Sequence, residues 1–256
     1  MKQIVFTSRG KKIFGFAHVP ESVKKCPAIV MCHGFGAGSS EWNRLFVDFA
    51  NEAEKRGYYV IRFDCIGSGD SPYDFAENTN LSGWMEDVSA AIDFAVRQKE
   101  VDTDHIIGMG LSMGAATTLM KDVEDERISK IIAWAPVIYP EEVFSGLIGK
   151  EAYDRLKMGE KRVVCISEGF PIELSSKFAQ DFSKMDICNT VSCSRKPILV
   201  LEGTEDEVIN PETTLLLQKA NPQYVTHKFI KDEIHGFLLK KSITFPLTFD
   251  FLEENN

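Results

Sequence analysis

No apolar run in the 256 residues approaches the ~18 that a membrane-spanning helix requires, so an integral membrane protein is not expected. The first residues, Met1-Lys2-Gln3-Ile4-Val5-Phe6, read straight into a strand and lack the apolar core of a secretion signal. Six cysteines, at positions 26, 32, 65, 165, 188 and 193, form no Cys-x-x-Cys pair. With no Cys/His cluster at ligand spacing, zinc is not expected. Several of these cysteines lie in apolar, strand-like runs, as buried free thiols do, and that usage fits a reducing, cytoplasmic setting. Positive charge is in deficit. With 29 Lys and Arg against 38 Asp and Glu, the net charge of −9 argues against nucleic acid and against an anionic membrane surface. Internal repeats and low-complexity segments are also lacking, which leaves an ordinary globular chain of a size for one large domain.

What the chain does have is alternation. Ile4–Thr7 and Ile13–Val19, parted by Ser8-Arg9-Gly10-Lys11, suggest an antiparallel hairpin. Continuous apolar runs at Ala28–Cys32, Tyr58–Phe63, Ile106–Leu111, Ile131–Ala135 and Pro197–Glu202 read as strands buried on both faces, with Thr226–Ile230 the last strand. Between them, helical periodicity covers Trp42–Arg56, Leu81–Lys99, the stretch to about Lys121, Pro211–Ala220 and Ser242–Leu252. Strands alternating with helices imply a mostly parallel sheet with helices on both faces, and ligands then bind beyond the carboxyl ends of the strands. The rhythm breaks over 137–194, where aromatics lie scattered among charges and Lys161–Ser167 suggests one arm of a small hairpin. A structureless loop that long is implausible in a compact domain, so this segment is expected to be an inserted cap with its own elements.

Chemistry concentrates at the strand ends. Gly110-Leu111-Ser112-Met113-Gly114 lies between a strand and a helix, a turn that strains its central residue and projects the hydroxyl. An activated serine needs a base and a group that orients the base. Of five histidines, His18, His105 and His227 fall where a structural role is expected. His235, in the loop after the last strand, is the candidate base. The acid should come from Glu202-Gly203-Thr204-Glu205-Asp206-Glu207. Asp206 is preferred, because Gly-x-x-Asp-x-Val sets a short carboxylate where the chain turns back toward a helix; Glu205 and Glu207 remain alternatives. Oxyanion donors are expected from the backbone N–H of Met113, at a helix start, and of Phe35 in His33-Gly34-Phe35-Gly36. A phosphate-cradling loop is the competing reading of those glycines. It is disfavoured because Ser39 stands where a dinucleotide fingerprint has its third glycine and no Gly-Lys-Ser/Thr follows.

These motifs, together with Asp64-x-x-Gly67-x-Gly69-x-Ser71 and His235-Gly236, follow the order of the α/β-hydrolase superfamily, which the chain resembles over nearly its whole length outside the cap. Within that superfamily it looks most like the small bacterial serine esterases of the cinnamoyl/feruloyl type. The resemblance implies an α/β-hydrolase fold over residues 1–256: a mostly parallel eight-stranded sheet with 137–194 inserted as a cap between strands 6 and 7. It also implies a triad of Ser112, His235 and Asp206, an oxyanion hole from the Phe35 and Met113 N–H groups, and a mainly structural Asp64–Ser71 loop. The expected activity is carboxylic-ester hydrolysis through an acyl-enzyme, on small to medium esters, aromatic (hydroxycinnamoyl) ones among them. Thioesterase, lactonase and peptidase activity by the same triad remain open, as does a non-enzymatic binding member of the fold. No cofactor and no metal is implied. The expected partner is a small-molecule ester, with no nucleic acid and no membrane, and the sequence leaves a homodimer open.

Overall fold

The computed structural model describes residues 1–21, 25–167 and 169–254. Strands β1 (Lys2–Ser8) and β2 (Lys11–His18) form the expected antiparallel hairpin, closed at Arg9-Gly10. Then come β3 (Cys26–Cys32), α1 (Leu45–Lys55), β4 (Tyr59–Phe63), α2 (Phe75–Asn78), α3 (Leu81–Val96), β5 (Val101–Leu111), α4 (Met113–Glu124) and β6 (Ile128–Trp134). The segment that follows carries α5 (Pro140–Ile148), α6 (Lys150–Lys157), β7 (Val163–Ser167), β8 (Phe170–Leu174), α7 (Ser176–Phe182) and α8 (Ile187–Cys193). The chain closes with β9 (Ile198–Gly203), α9 (Pro211–Ala220), β10 (Val225–Ile230) and α10 (Lys241–Glu254).

Eight strands form one sheet in the order β1-β2-β4-β3-β5-β6-β9-β10. All pairs from β4 to β10 are parallel, and only β2 runs against them, antiparallel to both of its neighbours, β1 and β4. This is the α/β-hydrolase architecture. Helices cover both faces: α1 and α10 meet on one, where the Phe49 and Phe249 rings stack at 4.9 Å, and α3, α4, α8 and α9 line the other. The inner strands explain themselves, since β3, β4 and β6 are buried along almost their whole length and are rich in Ile, Val and aromatic residues. All strand-end loops from β3 to β10 therefore open on one edge, and that edge carries the candidate site.

Several details differ from the sequence reading. The helix expected from Trp42 starts at Leu45, because Trp42–Arg44 form a 3₁₀ turn in which Asn43 and Arg44 have positive φ. The elbow strand starts at Val101, not Ile106: its first residues, Asp102 to His105, are polar and sit outside the covered part of the sheet, which hides them from a search for apolar runs. The cysteines are all free, but Cys193 is exposed and Cys188 half-buried, and the other four are buried as expected. No helix among the described residues is long and apolar enough to cross a membrane.

Within 137–194, β7 and β8 make a two-stranded antiparallel ribbon whose first arm is the expected Lys161–Ser167 stretch. α5 and α6 pack on this ribbon and α7 packs on them, whereas α8 lies against α4 and α9 in the helix layer of the main sheet. The ribbon is tied down by Arg162, which pairs with Asp74 at 2.8 Å and with Glu173 across the strands.

Candidate active site

Ser112 stands between β5 and α4 with φ 57 and ψ −118, a conformation costly for any residue with a side chain. Two glycines permit it. A β-carbon at Gly110 would lie 2.3 Å from the backbone of Gly114, in the first turn of α4. One at Gly114 would lie 2.1 Å from the carbonyl oxygen of Cys32, at the end of the neighbouring β3. The first glycine thus lets the strand double back into the helix, and the second lets the helix start against the next strand. Ser112 is 8% exposed. Its N–H bonds the Trp134 carbonyl at 2.9 Å, fixing the turn to β6.

The loop after β3 is held peptide by peptide. His33 is fully buried, and its Nε2 accepts the Cys65 N–H at 3.1 Å. The proton therefore sits on Nδ1, which donates to the Gly34 carbonyl at 2.8 Å. Burial lowers the His33 pKa and keeps this neutral tautomer in place, against the opposing pull of the Gly34 carbonyl. The Gly34 carbonyl also accepts the Ala37 N–H, and the Gly34 N–H bonds the Glu41 carboxylate. Gly34 is close to the serine: a β-carbon placed there would sit 3.6 Å from Ser112 Cβ. Among the described residues neither the Phe35 nor the Met113 N–H has a protein acceptor. Further along, Asp64 accepts the Ser39 N–H at 2.6 Å and the Asp70 N–H at 3.1 Å, so the Asp64–Ser71 loop braces the loop after β3.

Asp206 and His235 meet. His235 Nδ1 lies 2.7 Å from Asp206 Oδ2, and Oδ1 of the same carboxylate accepts the Val208 and Ile209 N–H groups at 2.8 and 2.7 Å. Burial pushes the Asp206 carboxyl up, but the hydrogen bond and charge of His235, with the Ile209 N–H, outweigh it and hold the group below its ordinary value. An ionised Asp206 accepts a hydrogen bond from Nδ1–H and so leaves the Nε2 lone pair of His235 free to accept another proton. The two loops are stitched together by backbone: Glu205 N–H bonds the Glu233 carbonyl at 2.9 Å, and a β-carbon at Gly203 would lie 2.3 Å from that same oxygen. No hydrogen bond joins Ser112 Oγ to His235; bonds between a nucleophile and its base commonly tighten only around a substrate.

Three further carboxylates shape the site, and the sequence reading assigned none of them a role. Glu233 is fully buried and accepts the N–H groups of Ile234, Leu239 and Lys240, closing the loop that presents His235. Glu202, also fully buried, accepts the Gly203 N–H with one oxygen and leaves the other without a partner. Burial first, then the negative charge of Asp206, push the Glu202 carboxyl up to about 10, so it is protonated at neutral pH. Glu41 is buried against the loop after β3, and burial pushes it up to about 7. The sequence offered only an acidic stretch around Asp206 and a lone Glu before Trp42. Burial, the decisive property, depends on neighbours distant in the chain.

The aromatics of the inserted segment form a core of their own. Phe144, Phe178 and Phe182 are each buried, with ring centroids 4.7 to 5.2 Å apart. The Phe35 ring joins them, 5.4 Å from both Phe144 and Phe178. The open space lies elsewhere. A groove of about 460 Å³ runs between α5 and the Asp206 loop, lined by Ile138, Tyr139, Val143, Val208 and Ile209 with Glu142 and Glu207 among them. No group of three or more His, Cys, Asp or Glu among the described residues is arranged to hold a metal ion.

The family model described as serine aminopeptidase, S33, matches residues 24–169, more than half of the chain, and the chain belongs to that family. Among curated proteins it is 34% identical over 110 residues to the polyketide transferase ATR5 of Stachybotrys chlorohalonatus, covering 43% of this chain and 36% of that protein. It is 28% identical over 133 residues to the quorum-quenching protein AidA of Acinetobacter baumannii, covering 52% and 43%. The chain thus spans well under half the length of the curated relatives it matches. Among solved structures, Est1E from Butyrivibrio proteoclasticus superposes with a TM-score of 0.82 at 19% identity, covering 99% of this chain and 98% of that one. The acylaminoacyl peptidase of Pyrococcus horikoshii superposes at 0.77 with 16% identity, covering 98% of this chain and 41% of that one. At these identities the likeness is one of fold.

Proposed function

We propose that this member of the S33 hydrolase family is a serine carboxylic-ester hydrolase working through an acyl-enzyme, with Ser112 as nucleophile, His235 as base and Asp206 as the acid that orients it. Ser112 Oγ attacks the ester carbonyl and passes its proton to His235 Nε2. The oxyanion takes hydrogen bonds from the Phe35 and Met113 N–H groups. The imidazolium then protonates the departing alcohol, and a water molecule activated by the same histidine releases the acid. No metal or cofactor enters this sequence. The observation that carries the reading is the 2.7 Å bond between His235 Nδ1 and an Asp206 carboxylate whose other oxygen is held by two backbone N–H groups. Orientation of that quality serves a base, and it lies at the strand ends with a strained serine.

The proposed substrates are small to medium esters, with the groove beside Asp206, whose lining mixes apolar and polar side chains, as the site of the acyl or alcohol part. A pocket made of the segment's phenylalanines is not part of this proposal, because those rings fill one another's space. Est1E has been solved with ferulic acid bound, which keeps hydroxycinnamoyl esters among the compounds to try. A second reading is hydrolysis of an aminoacyl amide. It draws on the family's description and on Glu142 and Glu207, carboxylates in the groove that would welcome an ammonium group.

The test is a hydrolysis panel of short and long nitrophenyl esters, hydroxycinnamate methyl esters, an acyl-CoA and an aminoacyl amide. Turnover of the short nitrophenyl ester is expected, and Ser112→Ala should lower its kcat by about 10⁴-fold or more with the fold intact. Full activity in that variant would remove the serine from the mechanism.

A further inference from the structure

Glu41 is a buried acid that the acyl-transfer steps do not touch. It nevertheless holds a strained place in the chain, since its φ of 54 falls where residues with side chains are rare. Both of its oxygens are used. One accepts the Gly34 N–H, and the other accepts its own neighbour's N–H, that of Trp42, at 3.3 Å.

The geometry around Gly34 shows what this grip does. The peptide before Gly34 is fixed by Glu41 through its N–H. The peptide after it is fixed through its carbonyl, by His33 Nδ1 on one side and the Ala37 N–H on the other. In a trans peptide the N–H points opposite to the carbonyl, so pinning the Gly34 carbonyl also aims the Phe35 N–H. Without Glu41 the first peptide is free to rotate, and the aim of the second loosens with it.

We propose that Glu41 is a positioning residue for this site: its carboxylate clamps the Gly34 N–H so that the Phe35 N–H stays aimed at the oxyanion. The inference rests on the proposed function above. Glu41→Gln keeps the acceptor oxygen, whereas Glu41→Ala removes it.

The experiment measures kcat and KM for a short nitrophenyl ester from pH 5.5 to 9 in wild type, Glu41→Gln, Glu41→Ala and Ser112→Ala, with circular dichroism on each. Glu41→Ala should lose at least about tenfold in kcat with KM within about threefold, a fraction of what a lost oxyanion donor costs. Glu41→Gln should keep kcat within about threefold on the alkaline plateau. A purely structural filler would change thermal stability without a split between kcat and KM and without rescue by glutamine. Glutamine as damaging to kcat as alanine, or both variants matching wild type in kcat, overturns the assignment. If the alanine variant does not fold, a loss of about tenfold or more in the kcat of Glu41→Gln overturns it alone. A wild type without esterase activity, or a fully active Ser112→Ala, overturns the function itself and the inference with it.

Discussion

At the carboxyl ends of the strands, buried carboxylates bond backbone N–H groups: Asp64 to Ser39, Asp206 to Val208 and Ile209, Glu233 to Leu239 and Lys240. In the inserted segment 137–194, by contrast, charged side chains bond one another at the surface, as Lys150 does with Asp154, Arg155 with Glu160 and Lys157 with Glu141. The first arrangement fixes the path of the chain, because a backbone group once bonded in a dry site has no water to turn to. The second is shared with water and constrains little. Even the glycines divide this way. Those of the elbow are hemmed in by backbone, whereas Gly146 and Gly149 have open space around them. The strand-end region, where the chemistry is proposed, is thus over-determined, and the inserted segment is not.

The largest expected break in that comparison is at Gly114. A methyl group there meets the carbonyl oxygens of Cys32 and His33 at 2.1 and 2.3 Å, and neither strand β3 nor helix α4 can retreat. Gly114→Ala is therefore expected to cost at least about 4 kcal/mol of stability. Urea unfolding monitored by circular dichroism measures it, and a loss below about 1 kcal/mol would show that the elbow has slack.

This split also explains how much of the molecule was legible in its sequence. The sheet, the elbow and the loops at residues 33–36, 203–206 and 235–236 announce themselves, because backbone geometry demands glycine, short acids and apolar runs at fixed spacing. Ser112 and Gly114 are readable for that reason. What was not readable depends on distance in space. Glu202 and Glu41 are charged letters like any others until folding removes their water, and Phe35 gives no sign in sequence of meeting Phe144 and Phe178. The segment 137–194 was recognisable as an interruption, but its internal order comes from ring packing that has no sequence period.

A smaller effect tests the burial of the strand-end acids. Glu202 keeps its proton up to about 10 when folded and gives it up near 4.5 when unfolded, so the folded state holds more protons across that window. Stability must then fall as pH rises through it. Glu41, raised to about 7, adds to the fall only below that value. His18 and His227, both lowered to about 4 mainly by burial, oppose it only up to their unfolded value of 6.5. Between about pH 7 and 8.5 the Glu202 proton stands nearly alone, and the expected slope is about 1.4 kcal/mol per pH unit. Glu202→Gln should flatten this slope in denaturant unfolding at stepped pH. An unchanged slope would mean that Glu202 ionises in the folded protein.

The smallest expected change lies in the inserted segment, and it asks whether that loosely determined region selects substrates. Gly146 sits in the interior of α5 with nothing within 4 Å of an added β-carbon, so alanine can enter without strain. Relative to glycine it should stabilise the helix by about 0.5–1 kcal/mol, through backbone freedom lost from the unfolded chain. Yet Gly146 lines the groove beside Asp206, and the new methyl group projects from a wall that a bound acyl or alcohol group would touch. The two readouts therefore diverge. Melting temperature should rise, kcat/KM for an acetate ester should stay within about twofold, and kcat/KM for longer acyl esters should fall by up to about tenfold, the scale of one misplaced methylene. Equal turnover of short and long esters by Gly146→Ala would move the substrate out of this groove and leave α5 with a packing role alone.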